Sequence, residues 1–441
     1  MATSGHLWFA QRATALAALV ALSACQSNGL NPTPSGALEP PAALARAQGK
    51  VNQYTVSELA TLGGTFSLGN GINNRGWITG VANLPSDASG HAARWTKGEI
   101  ADLGTLGGPN SFVGFPNKSN AGNISGGSDT TTNDPYSENF CADNVPYTCL
   151  PFDWRAGVMH ALPTLGGNNG VADANNSAGD IVGYAETATK DPSCTPPQVF
   201  DIGATRWDRR TGHVTQLPAL SGDIIAAAIM VNDSGDAVGG SGPTCASPSF
   251  ADAAHPVIWH RHGKPVGLAT LGGAISNFAL SINNRGDIVG LSDLPGDTAS
   301  HAVLWKKGSY TKAIDLGTLS GDVSSQANGI NSKGQIVGFS CDASGNCRAV
   351  LWENGSVYDL NTLIPPSSNL DVTSASDINN GGVIVGQAVD LGTGNLLGFE
   401  ASPNGKMAAP ASRPKAILPA WIRKELMRHG LGGFRLGLNH P

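Results

Sequence analysis

Apolar residues in this chain occur in short runs that are separated by turns rich in glycine and asparagine. Residues 279–316 show four such β-prone segments: Ala279–Asn283, Asp287–Leu291, Ala302–Trp305 and Thr311–Leu316. The turns Asn283–Gly286 and Trp305–Gly308 supply residues that tolerate positive φ, as tight hairpins require. The third segment is apolar without alternation, which indicates a strand covered on both faces. The pattern therefore predicts four short strands in this stretch.

The same unit occurs seven times, and three sequence lines mark it. The line Leu-x-Thr-Leu-Gly-Gly begins at Leu59, Leu103, Leu162 and Leu268, with looser copies at Leu217, Leu316 and Leu360. The line Ile-Asn-x-x-Gly-x-Ile-x-Gly begins at Ile72, Ile282, Ile330 and Ile378, with degenerate copies at Ser119, Ala174 and Val231. The third line is an apolar run that ends at Trp95, Trp154, Trp207, Trp259, Trp305 and Trp352, and at Phe399 in the last unit.

Four strands in roughly 45–50 residues are typical of one blade of a β-propeller. The array opens with a lone fourth-strand segment, Tyr54–Leu59, and its last clear strand, Leu396–Ser402, is a third one. The opening strand therefore completes the seventh blade and leaves no long unpaired edge. We predict an all-β, seven-bladed propeller over residues 51–405, closed by the N-terminal strand. A different blade count and an open β array are the alternatives.

The three lines together resemble the HAF-type extracellular repeat family, named for a His-Ala-Phe triplet. The triplet appears here as His91-Ala-Ala and His301-Ala-Val, without the phenylalanine. The resemblance covers about residues 54–400. It implies an exported repeat protein and no defined chemistry.

Residues 1–24 are typical of an export signal. The apolar run Ala13–Ser23 is too short for a transmembrane helix, which needs about 20 residues, and fits a signal peptide. It ends in Leu22-Ser23-Ala24-Cys25, which resembles the lipobox of bacterial lipoproteins and implies lipidation of Cys25. Gln26 follows, which in that family implies an outer-membrane lipoprotein of a Gram-negative bacterium, facing the periplasm or the cell surface. Residues 25–50 are predicted to form a tether; an ordinary secretory signal is the alternative.

Charged residues make up 14% of the 441 positions, against about 25% in typical soluble domains. The formal net charge of −6 argues against nucleic-acid binding, which usually needs a basic face. The chain contains no nucleophile elbow, metalloprotease helix motif or phosphate-binding loop. We expect no cofactor, no resident metal and no catalytic residue that a motif identifies.

Six cysteines remain when Cys25 is set aside, and all lie in predicted loops between the second and third strands. An even number in an exported protein indicates disulfides, whereas the spacings do not fit a zinc site. Six cysteines allow fifteen pairings. Proximity alone favours the pairs Cys141–Cys149, Cys194–Cys245 and Cys341–Cys347.

Other conspicuous side chains have structural explanations. His91, His255 and His301 head third strands, which favours hydrogen-bond partners within or between blades over metal ligands. The repeat tryptophans keep one register, which favours blade packing over sugar stacking. The acidic and amide residues of Ser128–Asn144 lack the ordered spacing of a calcium loop.

Large insertions fall at Ser128–Leu150, Ala185–Phe200 and Gly240–Ala254, in loops that share one face of a propeller. Such loops usually carry binding, although evolutionary drift also accumulates there. The tail, residues 406–441, is basic and has helical character at Ala420–His429. It either docks on the acidic propeller, touches an anionic surface or has no role.

These observations predict a lipid-anchored, non-catalytic binding module of the cell envelope, whose partner is a protein or a glycan bound on the insert-bearing face. The rival is an enzyme acting on extracellular polymers, a glycan hydrolase or lyase, with loop carboxylates as its catalytic groups. Acidic residues converging at the channel mouth would favour that rival. A purely structural envelope protein is the third possibility.

Overall fold

A computed structural model describes residues 50–141, 145–245, 255–413 and 415–423. The predicted signal peptide, Cys25 and nearly all of the tether lie outside these residues. The described chain forms seven four-stranded antiparallel sheets, which confirms the predicted seven-bladed propeller. No helix within the described ranges is long and apolar enough to cross a bilayer.

Strands are numbered in chain order, and each of the first four blades is continuous in sequence. Blade one contains β2 (Ser67–Ile72), β3 (Ile78–Asn83), β4 (Gly90–Thr96) and β5 (Glu99–Asp102). Blade two contains β6 (Gly107–Phe112), β7 (Ile124–Asn133), β8 (Tyr147–Arg155) and β9 (Val158–Ala161). Blade three contains β10 (Gly166–Asn175), β11 (Asp180–Lys190), β12 (Phe200–Asp208) and β13 (His213–Leu217). Blade four contains β14 (Ile225–Val231), β15 (Ala237–Gly242), β16 (His255–Trp259) and β17 (Pro265–Gly267).

Blades five and six are also continuous in sequence, whereas blade seven combines strands from the two ends of the propeller. Blade five contains β18 (Asn277–Ile282), β19 (Ile288–Asp293), β20 (Ser300–Trp305) and β21 (Ile314–Asp315). Blade six contains β22 (Ser324–Ile330), β23 (Ile336–Cys341), β24 (Cys347–Glu353) and β25 (Ser356–Asp359). Blade seven contains β26 (Leu370–Ile378), β27 (Ile384–Asp390), β28 (Leu396–Ala408) and β1 (Val51–Glu58). Strand β1 pairs antiparallel with β28, with Val51 opposite Ala408 and Glu58 opposite Phe399.

Two of the insertions are more regular than the sequence indicates. Strands β7 and β8 continue beyond the blade until Asn133 pairs with Tyr147. Strands β11 and β12 continue until Lys190 pairs with Phe200. Much of both predicted loops is therefore strand, because an antiparallel hairpin can lengthen without disturbing its neighbours.

The first asparagine of each turn has a role that the sequence analysis misassigned. In the turn Asn283–Gly286 only Gly286 has a positive φ, of 88°. The Asn283 Oδ1 atom accepts the N–H groups of Arg285 and Asp287, and its Nδ2 donates to the carbonyl of Asn331 in the next blade. The asparagine thus closes its own turn and binds the neighbouring blade.

This bridge recurs around the propeller. The Nδ2-to-carbonyl bonds are Asn73 to Ser119, Asn176 to Asn232, Asn232 to Asn283, Asn283 to Asn331, Asn331 to Asn379 and Asn379 to Asn73. Between blades two and three, where Ser119 stands in place of asparagine, the Ser119 N–H donates to Asn175 Oδ1 at 3.3 Å. A polar ring therefore links all seven blades.

Tryptophans hold five of the seven blades to the linkers that enter them. The Trp305 side chain is fully buried, and its Nε1 donates to the carbonyl of Ala269 at 2.7 Å. The same bond joins Trp95 to Ala60, Trp207 to Pro163, Trp259 to Pro218 and Trp352 to Leu316. The acceptors lie in the Leu-x-Thr-Leu-Gly-Gly line, which explains why the two lines occur together. The geometry agrees with the packing interpretation.

Candidate functional site

The propeller has two chemically different faces. The turn face carries the turns between first and second strands and between third and fourth strands, such as Asn283–Gly286 and Trp305–Gly308. The insert face lies opposite and carries the linkers between blades and the loops between second and third strands, such as the one joining β7 to β8. Both faces contain candidate binding residues.

The strand-heading histidines are paired with single carboxylates on the insert face. The Nδ1 atom of His91 lies 2.9 Å from Asp102, and that of His301 lies 3.0 Å from Asp315. His255 contacts Asp223 at 2.9 Å, and Arg348 replaces the histidine in blade six, where it contacts Asp359. These contacts agree with a hydrogen-bonding role.

The described residues contain one close group of three potential metal ligands, Cys194, Asp201 and Cys245. Its two thiols are joined in a disulfide, so they are not available to a metal.

The disulfides are the pairs that proximity favours: Cys141–Cys149, Cys194–Cys245 and Cys341–Cys347. The first and third close short loops within one blade. The second joins the loop between β11 and β12 to the loop that follows β15, and so connects blades three and four.

A buried acidic cluster lies where the blade-two insert meets blade three. The Nδ2 of Asn169 donates to Asp134 at 2.9 Å, to Glu138 at 3.1 Å and to Glu186 at 3.3 Å. All three carboxylates are at least 95% buried. Burial raises the pKa of Glu138 to about 8, and the neighbouring Glu186 carboxylate adds to the rise. Burial also raises the pKa of Glu186.

The geometry of this cluster favours a structural role. A cation shared by the three carboxylates would occupy the place that the Asn169 Nδ2 already fills, and an N–H group cannot ligate a metal. Catalysis on a polymer would require carboxylates that the substrate can reach. The cluster instead fastens the insert to blade three, since Glu138 also accepts the N–H of Val199 at 2.7 Å.

Exposed aliphatic side chains occupy one repeated position on the insert face of three consecutive blades. The exposed fractions of these side chains are 43% for Ile224, 46% for Ile275 and 47% for Val323. Each residue lies one or two positions before the first strand of its blade, which is β14, β18 or β22. Each lies eight residues before the first asparagine of its turn. We call these three residues the aliphatic ridge. The ridge was not predicted from the sequence, although aligning the repeats on the first asparagine of each turn reveals it.

The tail contacts the insert face. The Nζ of Lys415 lies 2.7 Å from Asp342, and the buried Leu418 and Ile422 pack in a cluster with Phe66 and Phe339. Three alternatives were predicted for the tail, and the contacts of its described part correspond to docking on the propeller. A helical turn covers residues 420–423.

The tail also adds apolar surface. Ile417 and Trp421 are 82% and 62% exposed, although the neighbouring Leu418 and Ile422 are buried against the propeller. The insert face therefore carries exposed apolar side chains both on the ridge and on the tail.

A solvent-open pocket lies on the turn face, where the turns of six blades converge. Its rim side chains are Asn74, Asn120, Asp233, Asn284, Ser332 and Asn380, and Lys118 also lines it. From the sequence these rim residues are predicted only to form turns.

Comparisons with known proteins extend only to the fold. No protein-family model matches the chain, and no curated protein is detectably similar in sequence. TolB from Acinetobacter baumannii superposes with a TM-score of 0.38, at 14% identity over 66% of each chain. An acylaminoacyl peptidase from Pyrococcus horikoshii gives 0.43, at 12% identity over 82% of this chain and 52% of its own.

An oligogalacturonate lyase from Vibrio parahaemolyticus gives a TM-score of 0.35, at 10% identity over 81% of this chain and 98% of its own. The chain thus spans about two thirds of the TolB chain and about half of the peptidase. Likenesses this distant carry no argument about activity. The class that the structure itself defines is a seven-bladed β-propeller.

Proposed function

We propose that this protein is an exported, lipid-anchored propeller that acts as a non-catalytic binding module at the bacterial outer membrane, with an envelope protein as its partner. The aliphatic ridge is the observation that carries the proposal. Exposed aliphatic side chains at one position of three consecutive blades cost solvation free energy, and such surfaces mark interaction sites. Apolar side chains of a protein partner would remove them from water.

The course of the chain supports a binding role for the insert face, because the lipid anchor would join the propeller at the opposite face. Strand β1 begins at Val51, opposite Ala408, at the turn-face end of blade seven. A lipid on Cys25 would connect to the propeller through residues 25–50 and therefore at the turn face. The ridge and the disulfides lie on the insert face, opposite the face at which β1 begins.

The enzymatic alternative receives less support. Asp134, Glu138 and Glu186 converge on the insert face, as an acidic site requires, but they are buried and hydrogen-bonded to Asn169. The glycan alternative lacks exposed aromatic platforms from the repeats, since five of the six repeat tryptophans are buried. The third possibility, a purely structural envelope protein, predicts that substitutions in the ridge do not change binding.

An array of envelope proteins and glycans, probed with the full-length protein, tests the proposal. The ridge variant is Ile224→Glu/Ile275→Glu/Val323→Glu. The matched control is Val158→Glu/Val266→Glu, because these two exposed valines lie on outer strands away from the ridge. Binding of an envelope protein that the ridge variant loses, by at least tenfold, and the control retains supports the proposal. Equal binding by all three proteins, or binding only of glycans, contradicts it.

A further inference from the structure

We propose that the turn-face pocket is a second binding site, specific for one neutral sugar or a similar polyol. The pocket is open to solvent, and the turns of six blades line it. Its rim is polar on every side. The directions of the hydrogen bonds that the rim already makes determine which ligand chemistry it accepts.

Blades seven, one and two present hydrogen-bond donors. Asn380 Oδ1 accepts the N–H of Ser332 at 2.9 Å, Asn74 Oδ1 accepts that of Asn380 at 3.0 Å, and Asn120 Oδ1 accepts that of Asn74 at 3.2 Å. The Nδ2 groups of the same three asparagines make no hydrogen bond to the described residues, and the side chains are at least partly exposed. Three amide donors are therefore available to a ligand.

Blade four presents an acceptor. Asp233 accepts the N–H of Ser177 at 3.1 Å and the Nδ2 of Asn284 at 2.7 Å, one bond to each carboxylate oxygen. Each carboxylate oxygen can accept a further bond. The Ser332 hydroxyl on blade six can donate or accept. A ligand must therefore accept hydrogen bonds on one side and donate on the other, which hydroxyl groups do.

The charges in the pocket select against ions. The Lys118 ammonium lies 2.6 Å from both oxygens of Asp377, so this pair contributes no net charge. Asp233 then leaves the pocket negative, which disfavours an anion. The three amide N–H donors disfavour a cation on their side. A neutral ligand with several hydroxyl groups can pair both with the amide donors and with the Asp233 carboxylate.

The rim is fixed before any ligand arrives. Its residues are held by the chain of N–H bonds just described, which continues from Asn120 to Ser177 and from Asp233 to Asn284, and by the ring of first asparagines beneath. A preorganised site loses little conformational entropy on binding. This compensates for the modest strength of hydrogen bonds to a solvated sugar.

Calorimetry and saturation-transfer NMR on the full-length protein test the proposal. The probes are D-glucose, D-galactose, N-acetyl-D-glucosamine and sorbitol, with glucuronate and glucosamine as the charged comparisons. Comparing the affinity for lactose with the affinities for D-glucose and D-galactose shows whether the site binds the end of a glycan or a free monosaccharide. We expect at least one neutral probe to bind with a Kd of about 1 mM or below.

Two variants remove donors without disturbing the rim. Asn120→Asp and Asn380→Asp keep the Oδ1 acceptor that the neighbouring N–H needs and lose the free Nδ2 group. The control is Ser177→Asp, which adds the same charge to the ring, can still accept the N–H of Asn120 and does not line the pocket. Both asparagine variants should weaken the neutral probe at least tenfold, and the control by less than threefold.

Three outcomes overturn the proposal. The first is that no neutral probe binds in the millimolar range. The second is that Asn120→Asp and Asn380→Asp bind as well as the control while remaining folded. The third is that glucuronate or glucosamine binds more tightly than every neutral probe. None of these results depends on the aliphatic ridge, which lies on the other face.

Discussion

Lys118 of blade two and Asp377 of blade seven form an ion pair between a partly exposed ammonium group and a fully buried carboxylate, with the ammonium nitrogen 2.6 Å from both carboxylate oxygens. Asp377 is fully buried and also accepts the N–H of Ile72 in blade one at 2.9 Å. One carboxylate thus connects three blades across the junction between the two ends of the described propeller. Burial raises the pKa of Asp377, and Lys118 acts in the opposite direction.

Breaking this pair should destabilise the fold. Asp377→Asn leaves the Lys118 ammonium without its counter-ion and weakens the bond to the Ile72 N–H, and because Lys118 is partly exposed the loss should be about 1–3 kcal/mol, below that for a fully buried pair. Urea denaturation measures the change. The double variant Lys118→Met/Asp377→Leu should lose less than Asp377→Asn alone, because it leaves no unpaired charge at this junction. A single variant as stable as wild type would show that the pair contributes nothing.

Asp173 is a buried carboxylate that, unlike Asp377, has no cationic partner among the described residues. It is buried on β10, its Oδ2 makes no hydrogen bond to the described residues, and burial raises its pKa well above the usual value. A raised pKa means that the folded protein holds a proton that the unfolded chain releases as the pH rises above about 4. Asp173→Asn needs no such proton, so it should increase the melting temperature at pH 7.

The measurement is a series of thermal melts from pH 4 to pH 8. The gain from Asp173→Asn should grow with pH and be smallest at pH 4. A variant that is less stable than wild type at pH 7, or equally altered at all pH values, would refute the assignment of a neutral Asp173.

Glu138 should also make the stability of the wild-type protein depend on pH. Its pKa of about 8 in the fold, compared with about 4.3 in an unfolded chain, means that stability falls as the pH rises from about 4 to 8 and then levels off. Glu138→Gln keeps a neutral group beside Glu186 and should be more stable than wild type by about 1–2 kcal/mol at pH 8. The exposed residue Glu99, changed to Gln, is the control and should alter this profile little.

The disulfides should differ in their contribution to stability. Cys194–Cys245 closes a sequence separation of 51 residues, and Cys341–Cys347 a separation of 6. In the chain-entropy model the longer loop confines the unfolded chain more, so Cys194→Ser/Cys245→Ser should cost about 2 kcal/mol more than Cys341→Ser/Cys347→Ser. Denaturation of both double variants under oxidising conditions checks the order. Equal losses would mean that native contacts around the sulfurs dominate.

The repeated residues determined how much of this structure was predictable. Residues equivalent to Trp305 and Asn283 recur in the same order in six of the seven repeats, so the blade count and strand order follow from the sequence. The partners across blades do not, because the bond from Asn283 to Asn331 joins equivalent turns that the pattern does not orient. The role of Asn283 was accordingly misassigned to backbone conformation.

The non-repeated parts were harder to predict. Glu138 and Glu186 lie 48 residues apart in two unrelated insertions, and only the fold shows that they meet. The second turn position varies among asparagine, serine and aspartate, so Asn120 and Asp233 appeared to be turn residues rather than a rim. Ile275 belongs to an apolar stretch whose start could not be separated from the buried strand that follows.

Site-specific photo-crosslinking tests the central claim, that the insert face binds an envelope protein, most directly. A photoreactive amino acid replaces Ile275 on the ridge in one strain of the producing cells, and Val158 on an outer strand in another. The account predicts a discrete protein adduct from position 275, absent from position 158 and lost when Ile224 and Val323 are changed to Glu. Adducts of equal yield from both positions, or none from position 275 in cells that contain the folded protein, would contradict it.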